Sequence, residues 1–503
     1  MFHTLIRNTA VSAFAYFVIS VLGIWVTGAL ASTYGLAAFG TITLARLFTV
    51  TGLIGVCDLG APENASHVVA RARSTGNWAE AMQAIQWLLL FTLVASLICM
   101  LIMLLLSRML GPWLGVNHGS ENLFWHVLVV SALVFPLCLT SQVAEGVSRG
   151  FERYAQIRGL EVFTSLAYAV GCWLFIKLQQ PFLYAIYLFI ALTTLRALIA
   201  YALAWKLLRA HVPQMEKHLS RDVGCHMVER TWLVAPNKIL ATVQVQSIPL
   251  AVGLMVGVAG AGVFDLLMRL PRFAKAALGL LNSAVMPFAS RLEAANSQQA
   301  LRTLSERGVM VIAFLTAPPL FALAVFSEPL LHLWVGDKLS HYWAWQSFAF
   351  STPLLTVIIG FASLTMFGKS DILKIMTWMV FVRLVIQYVI AAALIRQLGE
   401  RAFILGATSA VLITSVWELK MLLKQDVTGV VKRGLFNMFA LCALLSAVAF
   451  PATAFVTNVP LLLVGLAVFS LLAWLMVWVF IIPKDFQTKL VGNLRHSFFG
   501  SRK

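Results

Sequence analysis

Apolar runs of about 20 residues recur from one end of this chain to the other, and that is the length a 30 Å hydrocarbon core demands of a helix. A bilayer offers no water to the backbone, so a chain that crosses it must satisfy its peptide groups internally. Runs this long do so as helices. The expected spans are 8–31, 38–61, 81–106, 123–148, 157–177, 182–206, 235–258, 262–288, 308–332, 344–367, 372–395, 402–423, 434–456 and 459–482. Of the 503 residues, 60% are hydrophobic and 11% charged, against about 25% charged in a soluble chain. The sequence therefore describes an all-α integral membrane protein of about fourteen spans.

The positive charge fits the same reading. A net +17 in a soluble protein would point to nucleic acid; here Lys and Arg mark cytoplasmic loops. With both termini cytoplasmic, the cytoplasmic loops and the span ends beside them hold 25 Lys or Arg. The opposite side holds five: Arg108, Lys177, Lys338, Arg396 and Arg401. The first run, with Arg7 before it and Ala29, Leu30 and Ala31 at its end, imitates a signal peptide, but it is too long for one and is expected to stay as a helix.

The layout divides into an N-terminal lobe at 1–206, a basic cytoplasmic connector at 207–234, a C-terminal lobe at 235–424, two further spans at 425–482 and a basic cytoplasmic tail at 483–503. An echo at a constant offset supports two six-helix lobes. Gly35 aligns with Gly260, Phe39 with Phe264 and Pro62 with Pro287. Six spans return the chain to its starting side, so the repeat is parallel, a pseudo-two-fold about the membrane normal. No loop is long enough for a folded extramembrane domain, and no GxxxxGK[ST] phosphate loop is present. The six cysteines and ten histidines show no metal-ligand spacing, so no metal or other cofactor is expected.

One span breaks the apolar pattern. The stretch FDLLMRLPRFAKAA, 264–277, carries Asp265, Arg269, Arg272 and Lys275. At about 100° per residue, with Asp265 at zero, the three cations fall near +40°, −20° and −80°, and at 1.5 Å per residue Arg272 lies about 15 Å from Gly262, close to the bilayer centre. Each such charge costs about 3 kcal/mol even on the lenient insertion scale. Leu267, Leu270, Phe273, Ala274 and Ala277 form the other, apolar face. Asp265 and Arg269 have the spacing of a helical ion pair in the favoured order; that pair leaves Arg272 and Lys275 unexplained. Arg46, eight residues into the second span, aligns with Pro271 in the repeat, and Lys238 lies near the cytoplasmic start of the seventh. Arg196 and Arg383 read as structural partners. A cationic surface with few acids suits an anion, because guanidinium forks match phosphate and carboxylate.

The order of these features resembles the Wzx-type polysaccharide flippases of the MOP (multidrug/oligosaccharidyl-lipid/polysaccharide) superfamily. YGLAAFGTITLARLFTVTGLIGVCDLGAPENASHVVARA is similar to that family's opening hairpin, VFDLLMRLPRFAKAALGLLNSAVMPFASRLEAANSQQALRTL to its eighth span, and FSEPLLHLWVGDKL to its ninth-to-tenth junction. The resemblance implies two six-helix lobes in a V, two extra C-terminal helices, and a cavity lined by spans one, two, seven and eight. It implies a non-enzymatic, monomeric flippase of the bacterial inner membrane, working by alternating access with or without proton or sodium coupling. Its substrate would be an undecaprenyl-diphosphate-linked oligosaccharide, an O-antigen, capsule or exopolysaccharide unit, and its partners membrane lipids and the polymerase or export machinery. On that model Arg46, Arg269, Arg272 and Lys275 pair with the diphosphate or acidic sugars, with Lys238 near the cavity's cytoplasmic mouth. Asp265 departs from the pattern and leaves open an ion pair or coupling to a cation. Three other readings stand beside this one. A lipid II flippase shares the cationic cavity. A drug/cation antiporter needs a carboxylate in span one or seven, and neither has one. A membrane glycosyltransferase or polymerase needs a sizeable loop.

Overall fold

The computed structural model describes residues 2–49, 52–113, 121–211, 220–294, 298–364, 370–426, 429–482 and 487. The middle of the expected connector (212–219) and the tail 483–503 apart from Gln487 lie outside them. All regular structure among the described residues is helical. In chain order the helices are α1 (Phe2–Tyr34), α2 (Leu36–Leu47), α3 (Ala61–Thr75), α4 (Trp78–Trp113), α5 (Glu121–Gly150), α6 (Tyr154–Lys177), α7 (Leu183–Arg209), α8 (Arg221–Met255) and α9 (Val258–Ala294). They continue with α10 (Gln298–Val325), α11 (Ser327–Val335), α12 (Asp337–Ser340), α13 (Trp343–Ala349), α14 (Ser351–Leu364), α15 (Ser370–Leu398), α16 (Arg401–Asp426), α17 (Gly429–Ala449) and α18 (Val459–Phe480). Among the described residues eleven helical stretches are long and apolar enough to cross a membrane, and the chain is a multi-pass membrane protein. The charged α9 is not one of the eleven.

The chain forms two compact units. One comprises Met1–Arg269 and Ile375–Gly406, the other Leu270–Lys374 and Ala407–Lys503. In lipid the solvent is as apolar as the side chains, so helices associate through close packing and polar contacts rather than hydrophobic expulsion. The first unit uses both. Gly40 of α2 sits against the backbone of α9, where an added Cβ would overlap the Val258 carbonyl. A charge cluster ties three neighbouring helices together. Arg196 of α7 reaches Glu145 of α5 at 2.8 Å and Glu161 of α6 at 2.9 Å, while Arg149 and Arg158 engage the same two carboxylates at 3.1 and 2.6 Å. Glu145 is almost fully buried. Arg196 is thus the structural partner expected of it. In the second unit α10 is central, packing Val309, Ala313 and Ala317 against Phe350, Val357 and Phe361 of the α13–α14 stretch and Met438 and Cys442 of α17.

The second expected span differs from the sequence reading. Instead of one helix over 38–61, α2 stops at Leu47, a 3₁₀ turn occupies Leu53–Asp58, and α3 restarts at Ala61. At 12 residues, α2 rises only about 18 Å, too short to span alone. The cause is local. A side chain at Gly52 would overlap the Arg46 carbonyl at the end of α2, and Leu59 and Gly60 both take left-handed backbone, φ 49° and 90°. Pro62 then opens α3. Short turns keep the broken backbone satisfied: Phe48 N donates to Ala45 O, Thr49 N and its hydroxyl to Arg46 O, Gly52 N to Thr49 O and Leu59 N to Val56 O.

Gly40→Ala should therefore lower stability by about 1–3 kcal/mol, the cost of overpacking a tight contact. Gly159→Ala, on α6 with nothing within 4 Å of the new methyl, should be neutral or stabilising. Thermal unfolding of the two detergent-purified variants against the parent checks the contrast.

Candidate functional site

The broken span sets out charges at both of its new helix ends. Arg46 stands in the last turn of α2, where the helix dipole favours a cation, and Glu63 in the first turn of α3, where it favours an anion. Asp58 closes the 3₁₀ turn between them and accepts the Gly60 backbone N–H at 3.1 Å.

Arg46 is held by aromatic groups rather than by acids. Its guanidinium lies 4.9 Å over the ring of Phe189 on α7, and Phe189 meets Tyr168 of α6 edge-on at 5.7 Å. A cation on an aromatic face keeps its charge, and the contact strengthens where water is excluded. No described carboxylate pairs with Arg46, and its buried Nε has no hydrogen-bond acceptor. The Tyr168 hydroxyl is buried.

On α9 the expected ion pair forms: Arg269 donates to Asp265 at 3.1 Å, with both side chains mostly buried. The helix is continuous across Pro271. Its apolar face, Leu270, Ala274 and Leu278, packs on the core of the second unit. Arg272 is half-buried and Lys275 exposed, so the charged face keeps the phase that helical geometry gives it.

Lys238 of α8 is placed differently from the other cations. Its ammonium reaches both oxygens of Asp58, at 2.8 and 3.0 Å, and Glu63 at 3.2 Å. It fastens α8 to the 3₁₀ turn and to the first turn of α3. Asn64 adds a hydrogen bond to Thr231 at 3.1 Å, and the Trp87 indole donates to the Ser220 carbonyl at 3.0 Å, tying α4 to the start of α8. Further along, α8 meets α15 through Ser247 and Tyr388 at 2.6 Å and through Gln387, which donates to the Gln244 carbonyl at 3.1 Å. Sequence reasoning missed Phe189, Tyr168 and Glu63. The glycines at 52, 55 and 60 before Pro62 were the available signal for the break; nothing local marks the aromatic seat of Arg46.

Arg46 and Lys238 are thus both fixed, one on an aromatic face and one between carboxylates. No group of described His, Cys, Asp or Glu residues has the geometry to hold a metal ion. Such an arrangement can hold an anion by charge and orient it.

A family model described as "Polysaccharide biosynthesis protein" matches residues 72–344, more than half of the chain. No curated protein matches it in sequence. Among solved structures, it is similar to the lipid II flippase MurJ in an inward closed conformation, with a TM-score of 0.71 at 13% identity over 95% of this chain and 99% of that one. It is also similar to an inward-facing multidrug resistance MATE transporter of the MOP superfamily (TM-score 0.64, 16% identity, 83% and 98% covered). A MATE transporter of Vibrio cholerae, VcmN, is similar at a TM-score of 0.59 and 15% identity, with 84% and 96% covered. At these identities the likeness is one of fold.

If Lys238 holds the break closed, Lys238→Met should cost about 2 kcal/mol by leaving buried Asp58 without its cation. Adding Asp58→Asn should recover most of that loss, a coupling of about 1 kcal/mol or more. Thermal unfolding of the four proteins of the cycle measures it.

Proposed function

The chain belongs to the polysaccharide biosynthesis protein family, and from that premise we propose that it is a flippase. It moves an undecaprenyl-diphosphate-linked oligosaccharide from the cytoplasmic to the periplasmic leaflet of the bacterial inner membrane by alternating access. The observation that carries this reading is Arg46, a guanidinium seated on Phe189 with no described carboxylate paired to it and no acceptor for its buried Nε.

The substrate's problem is electrostatic. A diphosphate entering hydrocarbon would meet the Born cost that keeps charges out of membranes. Guanidiniums answer it with planar donor forks that match phosphate oxygens. Arg46 and Arg269 supply two such groups, and Arg272 and Lys275 continue the face of α9 that carries Arg269. The polyprenyl tail needs no protein cavity and stays in lipid. Asp265 holds Arg269 at 3.1 Å, which keeps that guanidinium oriented and limits how tightly it grips an anion. A transporter must release what it binds, so moderated affinity serves turnover.

The orientation belongs to the same proposal. The 25 to five division of Lys and Arg supports cytoplasmic termini. The fold of a lipid II flippase, matched along nearly the whole chain, supports a second reading in which the cargo is the peptidoglycan precursor. Both cargoes are lipid diphosphates, so the same cations serve either one.

Deleting the protein should stop surface polysaccharide and leave its lipid-linked glycan on the cytoplasmic leaflet. Identification of the accumulated glycan by mass spectrometry separates the two readings. Arg272→Ala should reproduce the loss with the protein still in the membrane, by about a hundredfold if the guanidinium contributes some 3 kcal/mol to a charge-assisted contact. Normal polysaccharide in that variant removes Arg272 from the site. Arg272→Lys shows whether charge alone suffices.

A further inference from the structure

Two cysteines far apart in sequence meet at the break. Cys57 lies in the 3₁₀ turn between α2 and α3, and Cys99 lies on α4; their sulfurs are 3.0 Å apart. Both are half-buried free thiols. Cys138, Cys172 and Cys442 are buried and Cys225 is exposed, and no other two cysteines are in hydrogen-bond contact among the described residues. A thiol pair this close needs only a small movement to reach the 2.05 Å of a disulfide.

The location gives the contact a consequence. Cys57 precedes Asp58, the carboxylate that holds Lys238. Leu59 and Gly60, both left-handed, follow immediately. This 3₁₀ turn lies between two half-helices, and α2 carries Arg46 while α3 carries Glu63. Whatever fixes Cys57 to α4 fixes the turn that positions those groups.

We propose that Cys57 and Cys99 form a redox-modification site at which a hydroperoxide closes a disulfide that pins the break to α4. One thiol, as thiolate, attacks the peroxide O–O bond, taking one oxygen as a sulfenic acid and releasing the other as an alcohol. The second sulfur displaces that oxygen, which leaves as water, and the S–S bond forms. Two thiols lose two electrons and two protons; the peroxide becomes alcohol and water. A disulfide reductant or an added phosphine reverses the bond. The disulfide holds the turn in one conformation, and transport, which needs the half-helices to move, stops. That last step rests on the proposed flippase activity; the cross-link does not.

The experiment treats the purified full-length protein with cumene hydroperoxide, blocks remaining thiols with N-ethylmaleimide, and maps peptides without reduction. The expected product joins the Cys57 and Cys99 peptides at two hydrogens below their summed mass, with Cys225 alkylated. Alkylation of both Cys57 and Cys99 after oxidation, or their over-oxidation without a cross-link, overturns the site. In proteoliposomes holding the lipid-linked oligosaccharide, oxidation should slow translocation at least about tenfold, as expected for a gating element held shut. Phosphine should restore it, and Cys57→Ser should be insensitive. Cross-linked protein that transports at the reduced rate overturns the lock. Since the mass readout needs no transport, a failure of the flippase reading is told apart from a failure of the thiol site.

Discussion

Inside a bilayer every charge and every peptide group must find its partner within the protein, because the surrounding hydrocarbon offers none. The structure of this chain follows from how that demand is met around one broken helix. Where α2 stops, the backbone closes short turns on itself, so that the carbonyls of Ala45, Arg46, Thr49 and Val56 are occupied. Where the side chains are charged, Asp58 and Glu63 take Lys238, and Asp265 takes Arg269. Arg46 is answered by a ring. An aromatic face lowers the cost of burying a guanidinium without cancelling its charge. The guanidinium therefore keeps its charge on that seat, as the proposed anion site requires.

The same accounting separates two kinds of arginine in the first unit. Arg196 is as deep in the sequence's apolar segments as Arg46, but it lies between Glu145 and Glu161 and joins α5, α6 and α7. Breaking such a buried network is costly, which suits a clamp and not a ligand site. Arg46 has the opposite surroundings. What distinguishes the two arginines is the company each keeps in space.

Much of this was legible from the residues alone. Most spans follow from the length of the apolar runs, with eleven among the described residues, and the phase of Asp265, Arg269, Arg272 and Lys275 follows from 3.6 residues per turn, because both depend on neighbours within a few turns. The structure keeps that phase, with Leu270 and Ala274 packed on the opposite face. Lys238 shows where such reasoning ends. Its depth in the span was readable, but its partner Asp58 is 180 residues away, and only the fold brings them together. The break itself was written in Gly52, Gly55, Gly60 and Pro62. Hydropathy averaged over a span passes over these residues, since glycine and proline are compatible with an apolar run while ending a helix.

The central claim is that a cation seated on an aromatic face carries a lipid-linked anion across the membrane. Its most direct test reconstitutes the protein in vesicles with a lipid diphosphate bearing a fluorescent oligosaccharide, and follows the headgroup's loss of access to an external quencher. Vesicles with the native chain should translocate the headgroup, and vesicles with Arg46→Gln should do so at least about tenfold more slowly, the loss expected when about 1.4 kcal/mol or more of charge-assisted binding is removed. Equal rates for the native protein and Arg46→Gln, or native rates no faster than those of empty vesicles, would contradict it.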